Sequence, residues 1–510
     1  MATPLRYALT TLCSAGMLIV YLPLFAAAGF LRPAFSTDSW RLLFDDPQLV
    51  QALAATLVST LIAVGGALAL TLLIIAALWP SAGWQRLTAR LPLLLALPHV
   101  AFATGALLMF AEGGLFYRAL PFLHAAPDPY GIGLGLVLAV KECGFLLWVS
   151  GSALGEKRYS EQLIVLRSLG YGRLQCLRHL LLPRLLPALG IALLATAAWT
   201  ISAVDVAIIL GPGNPPTMAV LAWQWLNQGD EPSHIKGQLA CALLLTLLAA
   251  LALAARLLWR AWQTCFPGLH GRRAPSSTLV SGKIAGHFVP LSGLLCAAML
   301  LLLAYSALPD SLIFNNSLWL ALLASLAGAA LCLLWLEWGP AWLTRCLWLP
   351  LLLPALPLAA GQYEIALFGW LDGQFSTVLW GHLLWVIPWM LFVLRPAWQQ
   401  IDPRLILIAR SLGWPQARIF LLIKCPLIIK PLLAALAIGF SVSIAQYLPT
   451  QWLGAGRIPT FTTEAVALSS GGATPQLAAQ GLWQLLLPAI FFLLTVLLTR
   501  LIGHFRQGLR

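Results

Sequence analysis

The sequence predicts an all-α integral membrane protein with about twelve transmembrane helices, arranged as two tandem six-helix modules. The first observation is composition: 60% of the 510 residues are hydrophobic and 9% are charged, whereas a soluble chain carries roughly a quarter charged residues. The second is that apolar runs repeatedly reach about 20 residues, the length that crosses a bilayer as a helix. The third is a loop that occurs twice. Unbroken apolar runs exclude a closed β-barrel.

The apolar runs divide into two sets of six predicted spans. The first set lies near residues 8–30, 50–79, 90–111, 131–154, 185–210 and 238–262. The second set lies near residues 287–308, 316–337, 345–370, 375–398, 429–450 and 480–503. Pro350, Pro354 and Pro357 predict a kink in the span at 345–370.

A basic, turn-rich segment separates the two sets. We therefore predict a first module at residues 1–264, a cytoplasmic linker at 265–286 and a second module at 287–510. A cleaved signal peptide at residues 1–30 is an alternative, but its apolar stretch exceeds the 7–15 residues that are typical of a signal core.

The positive charges predict the orientation, because short basic loops stay on the cytoplasmic side. With both termini in the cytoplasm, 24 of the 30 Lys and Arg residues fall inside and five fall outside. The formal charge of +13 therefore reflects topology, and we expect no nucleic-acid partner. The predicted location is a bacterial inner membrane, crossed several times.

One basic loop is repeated. Arg167, Ser168, Leu169 and Gly170 stand thirteen residues before Pro183, and Arg410, Ser411, Leu412 and Gly413 stand thirteen residues before Pro426. Each loop is predicted to hold a helix (about 158–169 and 402–412), a glycine that permits a left-handed turn and a second amphipathic piece (about 172–182 and 415–425). The prolines suit the first turn of the next helix. Such loops could simply hold topology, but the shared spacing favours docking to a partner.

These loops resemble the EAA loop of the permease subunits of binding-protein-dependent ABC importers. In that pattern a glycine is followed by nine residues, then an aliphatic residue, one further residue and Leu-Pro. Here Gly170 is followed by nine residues and then Leu180–Pro183, and Gly413 by nine residues and then Ile423–Pro426. Asp402 and Pro403 match a common lead-in. The resemblance covers both halves, in the fused form of thiamine and ferric iron permeases. It implies a non-catalytic transport subunit without a cofactor. Its implied partners are two ATPase subunits, a periplasmic binding protein, the bilayer and a small-molecule or ion solute.

The loops depart from the family pattern at the Glu-Ala-Ala positions. These positions hold Ile164–Leu166 in the first loop and Leu407–Ala409 in the second, so the acidic residue is missing twice. Glu161 could substitute in the first loop, while the second has Asp402 farther away. We hypothesise that docking depends on apolar contacts and on four arginines: Arg167, Arg173, Arg410 and Arg418.

A few polar residues fall within predicted spans, where charges are costly and usually face the protein interior or a wet cavity. Lys141 and Glu142 lie in the fourth span and Asp205 in the fifth; the roughly corresponding second-half positions carry His382 and Gln446. We hypothesise that Lys141 pairs with Asp205 beside the solute path. A purely structural ion pair is the alternative. The segment from Gly211 to Pro216 is predicted to be a non-helical periplasmic turn, with a gate or a binding-protein contact as the other interpretation.

Other classes of protein find less support. The nine cysteines show no metal-ligand spacing and are predicted to be packing residues, and neither a phosphate-binding loop nor a hydrolase motif occurs. A twelve-helix secondary transporter driven by an ion gradient is the alternative function, since it shares the two-half architecture. It needs no loop of fixed spacing before the fifth span of each half. A membrane enzyme would need a catalytic constellation that the sequence lacks.

Overall fold

A computed structural model describes residues 3–111, 114–120, 122, 127–155, 157–265, 279–304 and 310–507, and every regular element in these ranges is helical. The first half contains α1 (Thr3–Tyr21), α2 (Pro23–Gly29), α3 (Thr37–Phe44), α4 (Leu49–Leu78), α5 (Ala82–Ala96), α6 (His99–Phe110), α7 (Leu115–Ala119), α8 (Ile132–Ala153), α9 (Lys157–Ser168), α10 (Arg173–Cys176), α11 (Leu182–Ser202), α12 (Asp205–Leu210), α13 (Met218–Leu226) and α14 (Glu231–Cys265).

The second half repeats this order from the counterpart of α8 onward. It contains α15 (Val280–Leu303), α16 (Ser311–Trp338), α17 (Leu349–Leu352), α18 (Ala355–Phe368), α19 (Phe375–Gln399), α20 (Pro403–Ser411), α21 (Gln416–Ile419), α22 (Cys425–Leu427), α23 (Ile429–Ile444), α24 (Leu448–Gly454), α25 (Phe461–Leu468) and α26 (Thr474–Gln507). From α8 onward, corresponding helices of the two halves begin 243 residues apart, as α8 and α19 do, except that α9 and α20 begin 246 residues apart.

The predicted fold class is confirmed. In the described ranges, ten helices are long and apolar enough to cross a membrane, and the number rises to twelve if each of two bent pairs counts as one span. The predicted kink is one of these bends: the chain turns by 108° between Leu352 and Ala355, where Pro354 precedes α18. The other is a 78° bend between Leu427 and Ile429.

Several predicted spans are wrong in detail. The span at 90–111 is two helices, because α5 ends at Ala96 and α6 begins at His99 after Pro98. The fifth span of each half ends in a break, at residues 203–204 and 445–447, and the short helices α13 and α25 were not predicted. The seventh long helix begins at Val280 rather than at 287. Most of the predicted linker, residues 266–278, lies outside the described residues.

Small residues allow the helices of each half to pack closely. A Cβ added at Gly135 of α8 would lie 2.8 Å from the Ser59 carbonyl oxygen of α4. A Cβ added at Gly66 of α4 would lie 2.8 Å from the Ala139 Cβ of α8. In the second half, Gly328 of α16 faces Val386 of α19. Without a hydrophobic driving force in lipid, such small-residue contacts hold membrane helices together.

The first long helix of each half packs against helices of the other half. The helix α1 packs against α16 and α19, and α15 packs against α4, α6 and α26. The Tyr21 hydroxyl donates to the Leu347 carbonyl at 3.0 Å, and Gly282 of α15 abuts the Leu73 carbonyl of α4. The two halves are therefore interlocked.

The repeated loops lie at the same end of the bundle. The helix α15 begins beside the end of α4, and α26 begins beside the end of α15, where Gly481 contacts Leu300. Antiparallel packing of α26 on α23, with Phe440 stacked on Phe491, then places the start of α23 at the end where α4 finishes. We call this the loop end of the bundle.

Candidate functional site

The two repeated loops have the same backbone. Loop A (residues 157–182) and loop B (residues 400–425) each begin with a helix, α9 or α20, that ends at a glycine with positive φ: 88° at Gly170 and 77° at Gly413. The Gly170 amide donates to the Arg167 carbonyl at 3.0 Å and the Tyr171 amide to the Leu166 carbonyl at 3.1 Å. Loop B repeats both bonds, from Gly413 and Trp414 to Arg410 and Ala409. This paired C-cap requires a left-handed residue, which glycine adopts without strain.

Beyond the glycine, loop A continues without a break into the long helix α11, whereas loop B reaches the long helix α23 through α22 and a 78° bend. A short helix, α10 or α21, passes into a π-helical turn, Leu177–Leu181 in loop A and Phe420–Lys424 in loop B. Pro183 and Pro426 then stand in the first turn of the following helix. The predicted helix–turn–helix and its proline positions are confirmed.

Both loop helices expose apolar side chains. Ile164 and Val165 are 64% and 56% exposed, and their loop B counterparts Leu407 and Ile408 are 66% and 58% exposed. Leu169 and Leu412 beside the turns are exposed as well. Contiguous exposed apolar side chains mark interaction surfaces, and these occupy the positions where the acidic residue is missing.

The polar residues of the loops have different surroundings. Glu161, Arg167, Arg410 and Arg418 are exposed, and the Arg418 guanidinium stacks on the Trp414 ring at 4.3 Å. Asp402 caps α20 by accepting from the Arg404 amide at 2.9 Å. The hydroxyls of Ser168 and Ser411 donate to carbonyls of their own helices. These serines therefore stabilise the loop helices locally.

Each loop is anchored to the last turn of the second long helix of its own half, α4 for loop A and α16 for loop B. The two anchors use different side chains. In loop A, Arg173 donates to the Ala77 carbonyl of α4 at 2.8 Å. In loop B, the Glu337 carboxylate of α16 accepts from Lys424 at 2.5 Å and from Gln416 at 2.9 Å. Gln416 is the counterpart of Arg173. The predicted docking arginine Arg173 is thus engaged within the chain.

The predicted pair of Lys141 and Asp205 is wrong. The Lys141 ammonium donates to the Leu94 carbonyl at 2.8 Å. The last carbonyls of a helix lack intrahelical partners, and the unpredicted end of α5 at Ala96 makes Leu94 available. Glu142 points elsewhere: its carboxylate lies 2.6 Å from His99 Nε2.

Asp205 is the first residue of α12, directly after the break that follows α11. It is partly exposed, and its carboxylate forms no ion pair with a described side chain. Ile208 follows three residues later, so both side chains lie on one face of α12.

His382 and Gln446 belong to a separate, uncharged network. The His382 ring nitrogens lie 2.8 Å from the Ser443 hydroxyl and 2.9 Å from the Thr450 hydroxyl. The Gln446 amide donates to the His382 carbonyl at 3.0 Å. The predicted correspondence with the first half is wrong, because the 243-residue offset pairs Lys141, Glu142 and Asp205 with Leu384, Trp385 and Leu448.

A cavity of about 330 Å³ lies where the two halves meet, away from the loop end. Its wall is formed by α12, α13, α25 and the residues around α24, namely Ile208, Val220, Trp223, Gln224, Tyr447, Gln451, Thr463, Val466, Ala467 and Ser470. Eight of its ten residues form four pairs at the 243-residue offset: Ile208 with Gln451, Val220 with Thr463, Trp223 with Val466, and Gln224 with Ala467. We call it the axis cavity, because equivalent positions face each other across the pseudo-twofold axis.

The sequence prediction missed the axis cavity. Its wall is built by short helices that follow the breaks in the fifth spans. These helices are too short to cross a membrane, so a search for apolar runs of spanning length does not find them. The fixed offset between the halves is the sequence signal that could have paired these positions.

Comparison with known proteins decides the family. No protein-family model matches the chain, and no solved structure matches it. Over 511 aligned residues, covering all of both chains, the sequence is 58% identical to the inner membrane ABC transporter permease protein YnjC of Escherichia coli. The chain belongs to the ABC transporter permeases. The spermidine/putrescine permease PotC homologues of Mycoplasma genitalium and Mycoplasma pneumoniae are 28% and 27% identical over 97 residues, which is 19% of this chain and 34% of each relative.

Membership in the permease family answers the broad functional question. The chain is a non-catalytic, multi-pass subunit of an inner-membrane ABC importer, and permeases of this family work with ATPase and solute-binding subunits. The alternative of a secondary transporter is therefore not supported.

Proposed function

We propose that this permease forms both halves of the solute pathway and holds two ATPase subunits, one on loop A and one on loop B. ATP-driven movement of the ATPase subunits would move both loops and rock the halves between inward-open and outward-open states. A binding protein would deliver the solute at the opposite end, into the axis cavity. On this proposal the loop end and both termini are cytoplasmic, in agreement with the positive charges.

The observation that carries the proposal is the pair of matching apolar surfaces at one end of the bundle. Ile164 and Val165 match Leu407 and Ile408 in position and exposure. Two equal docking surfaces suit two copies of one ATPase, or two close relatives. Burying an apolar side chain of this size contributes about 1.5–3 kcal/mol, which offsets the missing glutamate.

The anchors explain how a loop could transmit force. Arg173 ties loop A to α4, and Glu337 ties loop B to α16. Because α4 and α16 are long helices packed at the centre of their halves, a push on either loop would reach the helices around the axis cavity.

The test is copurification after co-expression with the neighbouring genes. The variant carries Gly170→Val and Gly413→Val, since a β-branched residue is strained at positive φ. We expect the wild-type chain to retain an ATPase and this variant to lose it.

A matched control carries Gly456→Val and Gly472→Val. These glycines also have positive φ, 73° and 70°, with open space around a Cβ, and they lie outside both loops. The control variant should retain the ATPase. Retention by the loop variant, or absence of an ATPase from the folded wild-type chain, would contradict the proposal.

A further inference from the structure

We propose that the axis cavity binds an organic cation, with Asp205 supplying the opposite charge and with Trp223 and Tyr447 supplying aromatic walls. This inference rests on the proposed function, in which the axis cavity belongs to the solute pathway. It adds the chemical class of the solute.

The wall of the axis cavity is neutral and partly aromatic. It offers the rings of Trp223 and Tyr447, two glutamine amides and two hydroxyls, and none of its ten residues is charged. A volume of about 330 Å³ is at the lower end of the range for small-molecule sites.

Asp205 places a negative charge next to this neutral wall. It lies one helical turn from Ile208 of the cavity wall, on the same face of α12. Its carboxylate interacts electrostatically with the Tyr447 hydroxyl across the boundary between the halves. A charge within the membrane is costly and faces a wet cavity or a partner. His99 interacts electrostatically with Asp205 but is bonded to Glu142, and no described Lys or Arg forms an ion pair with Asp205; a cationic solute would be such a partner.

The other interior charges of the first half have partners. Lys141 is fixed to the Leu94 carbonyl, and Glu142 to His99. Neither residue is part of the cavity wall, so Lys141 is not positioned to bind an anion there. On the predicted topology the outer side also carries more acidic than basic residues, which concentrates cations near the entrance.

An organic cation fits this site better than a metal ion. Among the described residues, no three His, Cys, Asp or Glu side chains come together to hold a metal, and metals require several such ligands. Aromatic faces attract organic cations through the ring quadrupole. Trp223 and Tyr447 place two aromatic rings in the wall of this one cavity.

The test is equilibrium dialysis of radiolabelled benzyltrimethylammonium against the full chain in nanodiscs, with empty nanodiscs as the blank. Unlabelled benzyl alcohol and phenylacetate are the neutral and anionic competitors. We expect saturable binding of the cation, at least tenfold weaker displacement by either competitor than by unlabelled cation, and at least tenfold weaker binding in Asp205→Asn.

Asp38→Asn is the matched control, because it removes one exposed acid far from α12 in sequence; it should bind as the wild type does. If Asp205→Asn does not fold, Trp223→Leu replaces it, with the same tenfold loss expected. Absence of saturable binding, equal displacement by phenylacetate, or unchanged binding in the folded variant would overturn the inference.

The outcome is separable from that of the proposed function. A wild-type chain that retains an ATPase but binds no cation would refute only the solute class. A chain that binds the cation but retains no ATPase would refute the docking proposal and leave the cation site intact.

Discussion

The two halves share a backbone but differ in their interior polar groups. In the first half, charged groups make these contacts: Lys141 bonds to a helix-end carbonyl and Glu142 to His99. In the second half the network around His382 is uncharged, with Ser443 and Thr450 as partners. The loops at one end, in contrast, repeat the same turn, the same π-helical segment and the same exposed apolar positions.

The loops are therefore the part that the two halves share, and the interior polar groups are the part in which they differ. On the proposed function, two partners of the same kind require two equal loops, which accounts for the shared loop geometry. A single solute on the axis would touch both halves at once and would need its charge complement from only one of them. On the proposed cation site, Asp205, whose counterpart is Leu448, would be such a one-sided contribution.

The largest expected effect comes from placing charge on the shared apolar surfaces. Ile164→Glu with Val165→Glu should remove the ATPase from loop A, and Leu407→Glu with Ile408→Glu should remove it from loop B. Because each buried side chain contributes about 1.5–3 kcal/mol, affinity should fall at least about a hundredfold, as measured by ATPase stoichiometry after copurification.

The control is Phe35→Glu, at an exposed site outside the loops, which should have no effect. If only one of the two loop variants lost its ATPase, the two loops would not be equivalent docking surfaces.

The anchors should differ in strength. Glu337→Gln breaks a mostly buried ion pair with Lys424, at about 3 kcal/mol, so hydrogen exchange in loop B should accelerate about a hundredfold. Arg173→Met removes one charged hydrogen bond, at about 1.5 kcal/mol, and loop A should accelerate about tenfold.

Each anchor variant should leave the other loop unchanged, and Glu161→Gln, at an exposed position, should change neither loop. Equal acceleration in both loops would show that they are not anchored separately.

A smaller effect is expected inside the second half. His382→Leu leaves the Ser443 hydroxyl without its partner, which costs about 1–3 kcal/mol and should lower the thermal unfolding midpoint. Thr200→Val alters the first-half counterpart of Ser443, whose hydroxyl bonds only within its own helix, and should lower the midpoint less. If Thr200→Val were the more destabilising change, the His382 network would not stabilise the second half.

The smallest effect should come from the exposed loop arginines. Arg167→Gln with Arg410→Gln removes surface charges worth at most about 1 kcal/mol, so ATPase retention should fall only a few-fold, and mainly at low salt, where surface charges are least screened. A complete loss at low salt would restore the hypothesis that arginines dominate docking.

The sequence was sufficient for the class, the helix-rich halves and the loop turns, because hydropathy, glycine and proline act locally. Gly170 and Gly413 were placed correctly for this reason. The interior contacts depend on where helices break. The end of α5 at Ala96 frees the Leu94 carbonyl for Lys141, because Pro98, four residues after Leu94, has no amide to donate to it. Pro98 was therefore a local signal of this helix end, and the prediction of one span at 90–111 did not use it. The exchange of α1 and α15 between the halves is a tertiary property that hydropathy does not encode.

The most direct test of two-loop docking is site-specific cross-linking to the ATPase. Val165→Cys and Ile408→Cys place thiols on the exposed faces of loops A and B, and Phe35→Cys is the control; exposed Cys346 is replaced by serine in all variants. We predict an ATPase adduct at each loop position, a double adduct when both are present, and none at residue 35. An ATPase that copurifies but cross-links at neither loop would contradict the account.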